Sequence, residues 1–178
     1  TYFVDGVTAA ASAGKWEFDF IAAREDNPGR QTNKLYALRT GYHPATGVNY
    51  GYTLAQYQYS SGERTRHWAI DAAWQLGKST FSAEHTQSNA ASDNKALAAS
   101  WAYDLDDKNT LCLTTFHVEQ NGDMGKQTGF DNDCRGVYYG LTRKITARDS
   151  LDILYANQTY LSTGQKKRKL VATLSHTF

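Results

Sequence analysis

The sequence predicts an all-β chain, a transmembrane antiparallel up-and-down β-barrel with residues 1–178 as a single domain. Three observations point there. Apolar and polar residues alternate with a period of two, while helical spacing is sustained nowhere. The connections between alternating segments are short and long in turn. The final segment keeps its alternation to the last residue, with Leu170, Ala172, Leu174, His176 and Phe178 on one face and Val171, Thr173, Ser175 and Thr177 on the other.

Composition agrees with a large sheet. Twelve Tyr, seven Phe and four Trp are spread along the chain, and the two prolines, Pro28 and Pro44, fall in turn-like segments. No run approaches the roughly 20 apolar residues of a membrane helix. A barrel strand needs no such run, because lipid-facing and lumen-facing residues alternate along it. The net charge of +1 comes with dispersed basic residues, so nucleic acid is not an expected partner. No signal-peptide pattern opens the chain.

In chain order, strands are expected over 2–11, 15–24, 34–43, 48–60, 66–76, 79–88, 96–105, 110–120, 135–145, 150–161 and 168–178. The clearest is 66–76, where Trp68, Ile70, Ala72, Trp74 and Leu76 share one face. In 96–105 the same face holds Leu97, Ala99, Trp101, Tyr103 and Leu105, and 15–24 repeats it with Trp16, Phe18, Phe20 and Ala22. Short connections are expected at 12–14, 44–47, 77–78, 106–109 and 146–149, and longer polar ones at 25–33, 61–64, 89–94, 121–133 and 162–167. In an outer-membrane barrel the short side is periplasmic and the long side extracellular. Such barrels carry an even number of strands with both ends periplasmic. About eleven strands therefore imply a barrel of 12–16 strands with earlier strands not in this sequence. Complete barrels of 8 or 10 strands are the alternatives, and a spacing of roughly 16 residues per strand and connection argues against eight.

The aromatic residues test that orientation. Trp68 and Tyr36 fall at one expected interface, and Trp16, Tyr42, Trp74 and the terminal Phe178 at the other, with Tyr103 on the same lipid-facing side. The opposite face offers Glu17, Asp19, Arg39, Asp71, Glu84, Asp104, Lys144 and Asp152. These are the expected pore-lining residues, with an excess of acids that predicts a weak preference for cations. No catalytic set and no cofactor are expected. His85 and Ser88 are three apart and point to opposite sides of a strand. The histidines His43, His67, His85, His117 and His176 lack metal spacing. The loop acids Asp123, Asp131 and Asp133 are read as solvated in preference to a Ca²⁺ site. Cys112 and Cys134 are expected at opposite ends of one hairpin, beyond disulfide reach.

Three segments resemble the C-terminal part of bacterial outer-membrane porins: WAYDLDDKNTLCLTTFHVEQ (101–120), YYGLTRKITARDSLDILYANQTYL (138–161) and the terminal SHTF. The last strand, with Leu170, Ala172, Leu174, His176 and Phe178, resembles the signal read by the barrel-assembly machinery, although His176 stands where those proteins most often carry an aromatic. The resemblance implies about sixteen strands, an inward-folded constriction loop and residence in the outer membrane of a Gram-negative envelope. It also implies passive diffusion of ions and small hydrophilic solutes, with a homotrimer as one possible assembly. A further likeness is to the S-layer-anchored porins of diderm Firmicutes, in which the barrel follows an N-terminal envelope-anchoring region. The alternatives are a barrel that tethers the envelope with little conductance, and an outer-membrane lipid-modifying enzyme.

Overall fold

The computed structural model describes residues 3–26, 32–122 and 132–177. They form one antiparallel sheet of eleven strands in sequence order: β1 (Phe3–Ala13), β2 (Trp16–Asp26), β3 (Lys34–Ala45), β4 (Val48–Gln58), β5 (Arg64–Leu76), β6 (Ser79–Ser88), β7 (Lys95–Asp104), β8 (Asn109–Val118), β9 (Cys134–Lys144), β10 (Asp149–Tyr160) and β11 (Lys166–His176). Each strand pairs with its chain neighbours. The sheet is open, with β1 bonded to β2 alone and β11 to β10 alone. A closed eight- or ten-stranded ring is therefore not what these residues build. Phe178 lies outside the described residues.

Every segment expected from period-two alternation is a strand, and the bounds move by a few residues. At the two-residue turn Gly14–Lys15, β1 runs on to Ala13 because Ala13 still pairs with Trp16. Gly14 takes φ +61°, a conformation that costs a residue with a Cβ more than glycine. β5 starts two residues before its hydrophobic pattern, since the ladder to β4 extends to Gln58 opposite Arg64. The turn at 105–108 closes on Asp106, whose Oδ1 accepts hydrogen bonds from the Lys108 and Asn109 amides at 2.8 and 2.9 Å. The other end of the sheet has the longer connections, at 59–63, 89–94 and 119–133 among others.

The register is staggered in one direction throughout. A row of directly paired residues begins at Trp16, the foot of β2, and runs through Tyr42, Tyr50, Ala72, Ala83, Ala99, Thr115, Val137 and Asn157 to Arg168. Arg168 stands eight residues above His176, the foot of β11. At about 3.3 Å per residue and about 4.8 Å between strands, that climb over nine steps tilts the strands roughly 30° from the normal to the row of turns.

Candidate functional site

The pairing sorts the side chains of the sheet onto two faces. On the aromatic face, Trp16, Phe18 and Phe20 of β2 align with Tyr42, Thr40 and Leu38 of β3, and these with Tyr50, Tyr52 and Leu54 of β4. The band continues through Ile70 and Trp74, Phe81, Leu97 and Trp101, Leu113, Tyr139, Tyr155 and Leu170. These side chains are open to the surroundings: Ile70 is 49 %, Leu97 51 % and Tyr139 52 % exposed. A continuous apolar surface of this extent is far larger than the patch of a few hundred Å² found on a soluble monomer.

At the short-turn end the band becomes an aromatic row. The rings of Trp16 and Tyr42 lie 4.6 Å apart, and the Trp74 indole donates to Tyr50 Oη at 3.3 Å with the rings edge-on at 6.2 Å. Phe81 pairs with both Trp74 and Trp101, and Trp101 donates to Ser79 Oγ at 3.2 Å. Of the expected girdle, Trp16, Tyr42, Trp74 and Tyr103 fall in or beside this row, and Tyr36 and Trp68 lie toward the long-loop end of the same face. The expectation omitted Tyr50, Phe81 and Trp101, although strand parity alone puts them on this face. Leu170, Ala172, Leu174 and His176 also share it, and His176 Nδ1 lies 2.7 Å from Asp149 Oδ1.

All eight expected pore-lining residues lie on the opposite, polar face, as the pairs Glu17–Gly41, Asp19–Arg39, Asp71–Glu84, Asp104–Thr110, Thr142–Asp152 and Lys144–Ser150 require. They form two groups. Glu17, Asp19, Arg39, Asp71 and Glu84 cluster over β2–β6, whereas Asp104, Lys144 and Asp152 lie near the short turns of β7, β9 and β10. In the cluster, Arg39 reaches across β4 to grip Asp71 with both guanidinium nitrogens, Nη2 donating to Oδ1 at 2.8 Å. Gly51 makes this possible, because a Cβ there would collide with the Asp71 carboxylate and the Arg39 guanidinium. His43 Nε2 lies 3.0 Å from Glu17 Oε2 without hydrogen-bond alignment. In the second group, Thr110 and Thr142 donate to Asp104 at 2.7 Å and Asp152 at 2.6 Å.

Over β7–β10 the polar face changes character. Phe116, Val118, Ala96 and Cys134 form a buried cluster with Tyr138, Tyr160 and Ala98 against it. Phe116 is 4 % exposed and Cys134 not at all. The first residues after β8 lean over this face. Thr86 Oγ1 donates to the Gly122 carbonyl at 2.7 Å, so the segment crosses β7 to reach β6. The Glu119 and Asn121 amides donate to the Lys95 and Asp93 carbonyls at 2.9 and 2.7 Å. Gly122 is packed so closely on the Lys95 carbonyl that no Cβ fits there. Alternation exposed neither glycine's role, because each depends on side chains or backbone of other strands, Arg39 and Asp71 for Gly51 and Lys95 for Gly122.

Of the remaining expectations, His85 and Ser88 lie on opposite faces, His85 against the Trp68 ring at 5.3 Å and Ser88 buried. No disulfide joins Cys112 and Cys134. Cys112 pairs with Gly140 and Cys134 with Val118, six positions along the same ladder, or roughly 20 Å. No group of three His, Cys, Asp or Glu able to hold a metal ion forms among the described residues. Asp123 and Asp131 lie outside them, and Asp133 accepts from Ser162. No family model, no curated protein and no solved structure matches the chain.

Proposed function

We propose that these strands are the wall of an outer-membrane β-barrel of about 12–16 strands, through which ions and small hydrophilic solutes diffuse passively. The observation that carries the reading is the unbroken, exposed apolar band on one face, opposite a face bearing Glu17, Asp19, Arg39, Asp71 and Glu84. In water such a band would be a large aggregation liability. Against acyl chains it is the required surface, and the row of Trp and Tyr at its short-turn edge suits the lipid–water boundary.

Two further features support the reading. The one-way stagger gives a tilt near the 35–45° of closed barrels, which an open sheet has no need of. The unpaired edges of β1 and β11 could not stand in hydrocarbon, so further strands would have to lie between them. The polar face then lines a lumen. Four acids and one arginine in its β2–β6 cluster bias passage toward cations. Outer-membrane lipid, the barrel-assembly machinery and the diffusing solutes are the partners this reading entails, and no cofactor is needed.

A second reading, a tethering barrel with little conductance, is favoured by the buried cluster on β7–β10 and the segment folded over it. Reconstitution of the protein in planar bilayers separates the two. Stepwise conductance with a reversal potential favouring cations supports the pore. Embedded protein without conductance supports the tether, and protein that stays out of the bilayer overturns both.

A further inference from the structure

An open recess of about 470 Å³ lies at the short-turn end of β3 and β4, with Lys15, His43, Pro44, Gly47 and Asn49 on its walls. A β-bulge shapes it. Tyr42 pairs with Tyr50 and Ala45 with Val48, so two residues of β3, His43 and Pro44, stand opposite the single Asn49 of β4. Pro44 has no amide hydrogen to give to a ladder, and a bulge takes up such a residue while re-aiming its neighbour. The His43 amide donates instead to the Lys15 carbonyl at 2.8 Å, and Lys15 Nζ donates to the Pro44 carbonyl at 2.6 Å.

Electron-rich atoms gather at this bulge. His43 Nε2 and Asn49 Oδ1 are both shielded from solvent, and neither has a hydrogen-bond partner among the described residues. Glu17 Oε2 of β2 stands 3.0 Å from His43 Nε2. The two side chains meet over Gly41, where a Cβ would lie 3.4 Å from the imidazole nitrogen and 3.7 Å from the carboxylate oxygen. Leaving shielded acceptors unpaired is costly. An imidazolium–carboxylate ion pair is the plainer account of Glu17 and His43, but their contact lacks hydrogen-bond alignment, and such a pair does nothing for Asn49.

We infer that Glu17, His43 and Asn49 form a site for a divalent transition ion of the zinc and copper class, with water completing its coordination. Bonds from such an ion to imidazole and carboxylate are about 2.1 Å long, which sets adjacent ligand atoms about 3.0 Å apart in an octahedron and about 3.4 Å apart in a tetrahedron. The Glu17–His43 separation of 3.0 Å is that of an octahedral edge. The imidazole nitrogen selects these ions over Ca²⁺ and Mg²⁺, which take oxygen ligands. Lys15, the other charged side chain at the recess, is engaged on the Pro44 carbonyl. The three donors come from β2, β3 and β4, so no spacing within one segment announces them. The β2–β4 ladder alone assembles the site, which therefore does not rest on the membrane reading. On that reading the bound dication offsets one acid of the polar-face cluster.

The test uses the full-length protein in detergent micelles and in neutral phosphatidylcholine vesicles. Zn²⁺ binding is read by isothermal titration calorimetry, and Cu²⁺ serves as the probe in electron paramagnetic resonance. Wild type is expected to bind a single Zn²⁺ in the presence of excess Ca²⁺ and Mg²⁺, and its Cu²⁺ spectrum to show one imidazole nitrogen. H43Q and E17Q should each weaken Zn²⁺ binding at least about tenfold, the loss that even the outer partners of a metal ligand bring. H117Q removes a histidine that stands 4.0 Å from Glu119 on the aromatic face, and should bind Zn²⁺ like wild type. Absence of binding, an H43Q protein that binds like wild type, or displacement of Zn²⁺ by Ca²⁺ at equal concentration overturns the site. Should H43Q and E17Q fail to fold, the wild-type Cu²⁺ spectrum decides: one imidazole nitrogen supports the site, and none or several overturns it. Because the readout is the same in micelles and in vesicles, its failure is distinct from failure of the conductance measurement.

Discussion

One row of paired residues crosses the polar face and joins two unlike regions: Glu17, Gly41, Gly51, Asp71, Glu84, Ala98, Phe116, Gly136 and Gln158. Over β2–β6 the row holds carboxylates separated by glycines, and Arg39 spans the gap above Gly51. Over β8–β10 it holds a phenylalanine that stacks edge-on against Tyr138 at 4.8 Å and a buried glutamine that accepts a hydrogen bond from Tyr138 at 2.7 Å. The backbone ladder is the same in both regions. The difference lies in what stands above it: the β2–β6 half is open enough to keep Arg39 and Asp71 partly solvated, with side chains 35 % and 20 % exposed, while in the other half Phe116, Val118, Ala96 and Cys134 pack into a buried cluster, flanked by the segment after β8 that runs over β7 to Thr86. Strand pairing alone therefore does not decide whether the polar face is open or packed.

The largest effect is expected in the dry half. Phe116→Ala should cost about 3–5 kcal/mol, the range for emptying a packed aromatic site, read as a shift in the urea midpoint of the vesicle-reconstituted protein. A cost below about 1 kcal/mol would mean the cluster is not packed, and the contrast between the halves would fail. Next comes Gly51→Val, which sets a branched side chain into the Arg39–Asp71 contact. A loss of about 1–3 kcal/mol is expected, as for other overpacked sites. It should be accompanied by altered ion selectivity, since both charges must move.

Arg39→Gln should cost less, about 1 kcal/mol or under, because the partly exposed pair is screened by water. It leaves Asp71 and Glu84 facing each other without their cation, and like charges directly opposite are unfavourable. In bilayer recordings this variant should shift the reversal potential further toward cations, while Asp71→Asn with Glu84→Gln should shift it back. Unchanged selectivity in both would remove this wall from the conduction path.

The smallest effect is expected at the turn joining β7 to β8, within the dry half. The Asp106 carboxyl is held below the usual aspartate range, first by the Asn109 side-chain amide and then by the Lys108 backbone amide. A depressed folded pKa adds stability above the unfolded value near 3.9, and that contribution disappears as pH falls through the lower folded value. Asp106→Ala should therefore lower the unfolding midpoint slightly at neutral pH and bring it back to the wild-type value in acid, which flattens the acid limb. An acid limb identical to wild type would show that the turn hydrogen bonds are not formed in solution.

Much of the sheet was legible beforehand because strand parity is a local property. The faces of Trp68, Ile70 and Trp74, the polar-face position of the eight residues expected to line a pore and the alternation of short and long connections follow from spacing within single segments. Strand ends were less legible: β5 extends to Arg64 because its partner Gln58 offers a backbone ladder, and a polar residue contributes no hydrophobic signal. The aromatic row was incomplete in the sequence reading, which left out Tyr50 and Phe81 and placed Trp101 on the face without assigning it to the girdle. Their neighbours across the ladder reveal the row, and a single strand does not. The division of the polar face had no local signal, since Asp71 and Phe116 both occupy ordinary polar-face positions.

By itself, the sequence determined the strand period, the two faces and the order of turns, because each depends on residues one or two positions apart. Only the tertiary structure decided that the sheet climbs in one direction, that Gly51 clears space for Arg39 to reach Asp71 and that Gly122 lies over β7. Those depend on contacts between residues tens of positions apart, whose geometry is set by register and by what packs above the ladder.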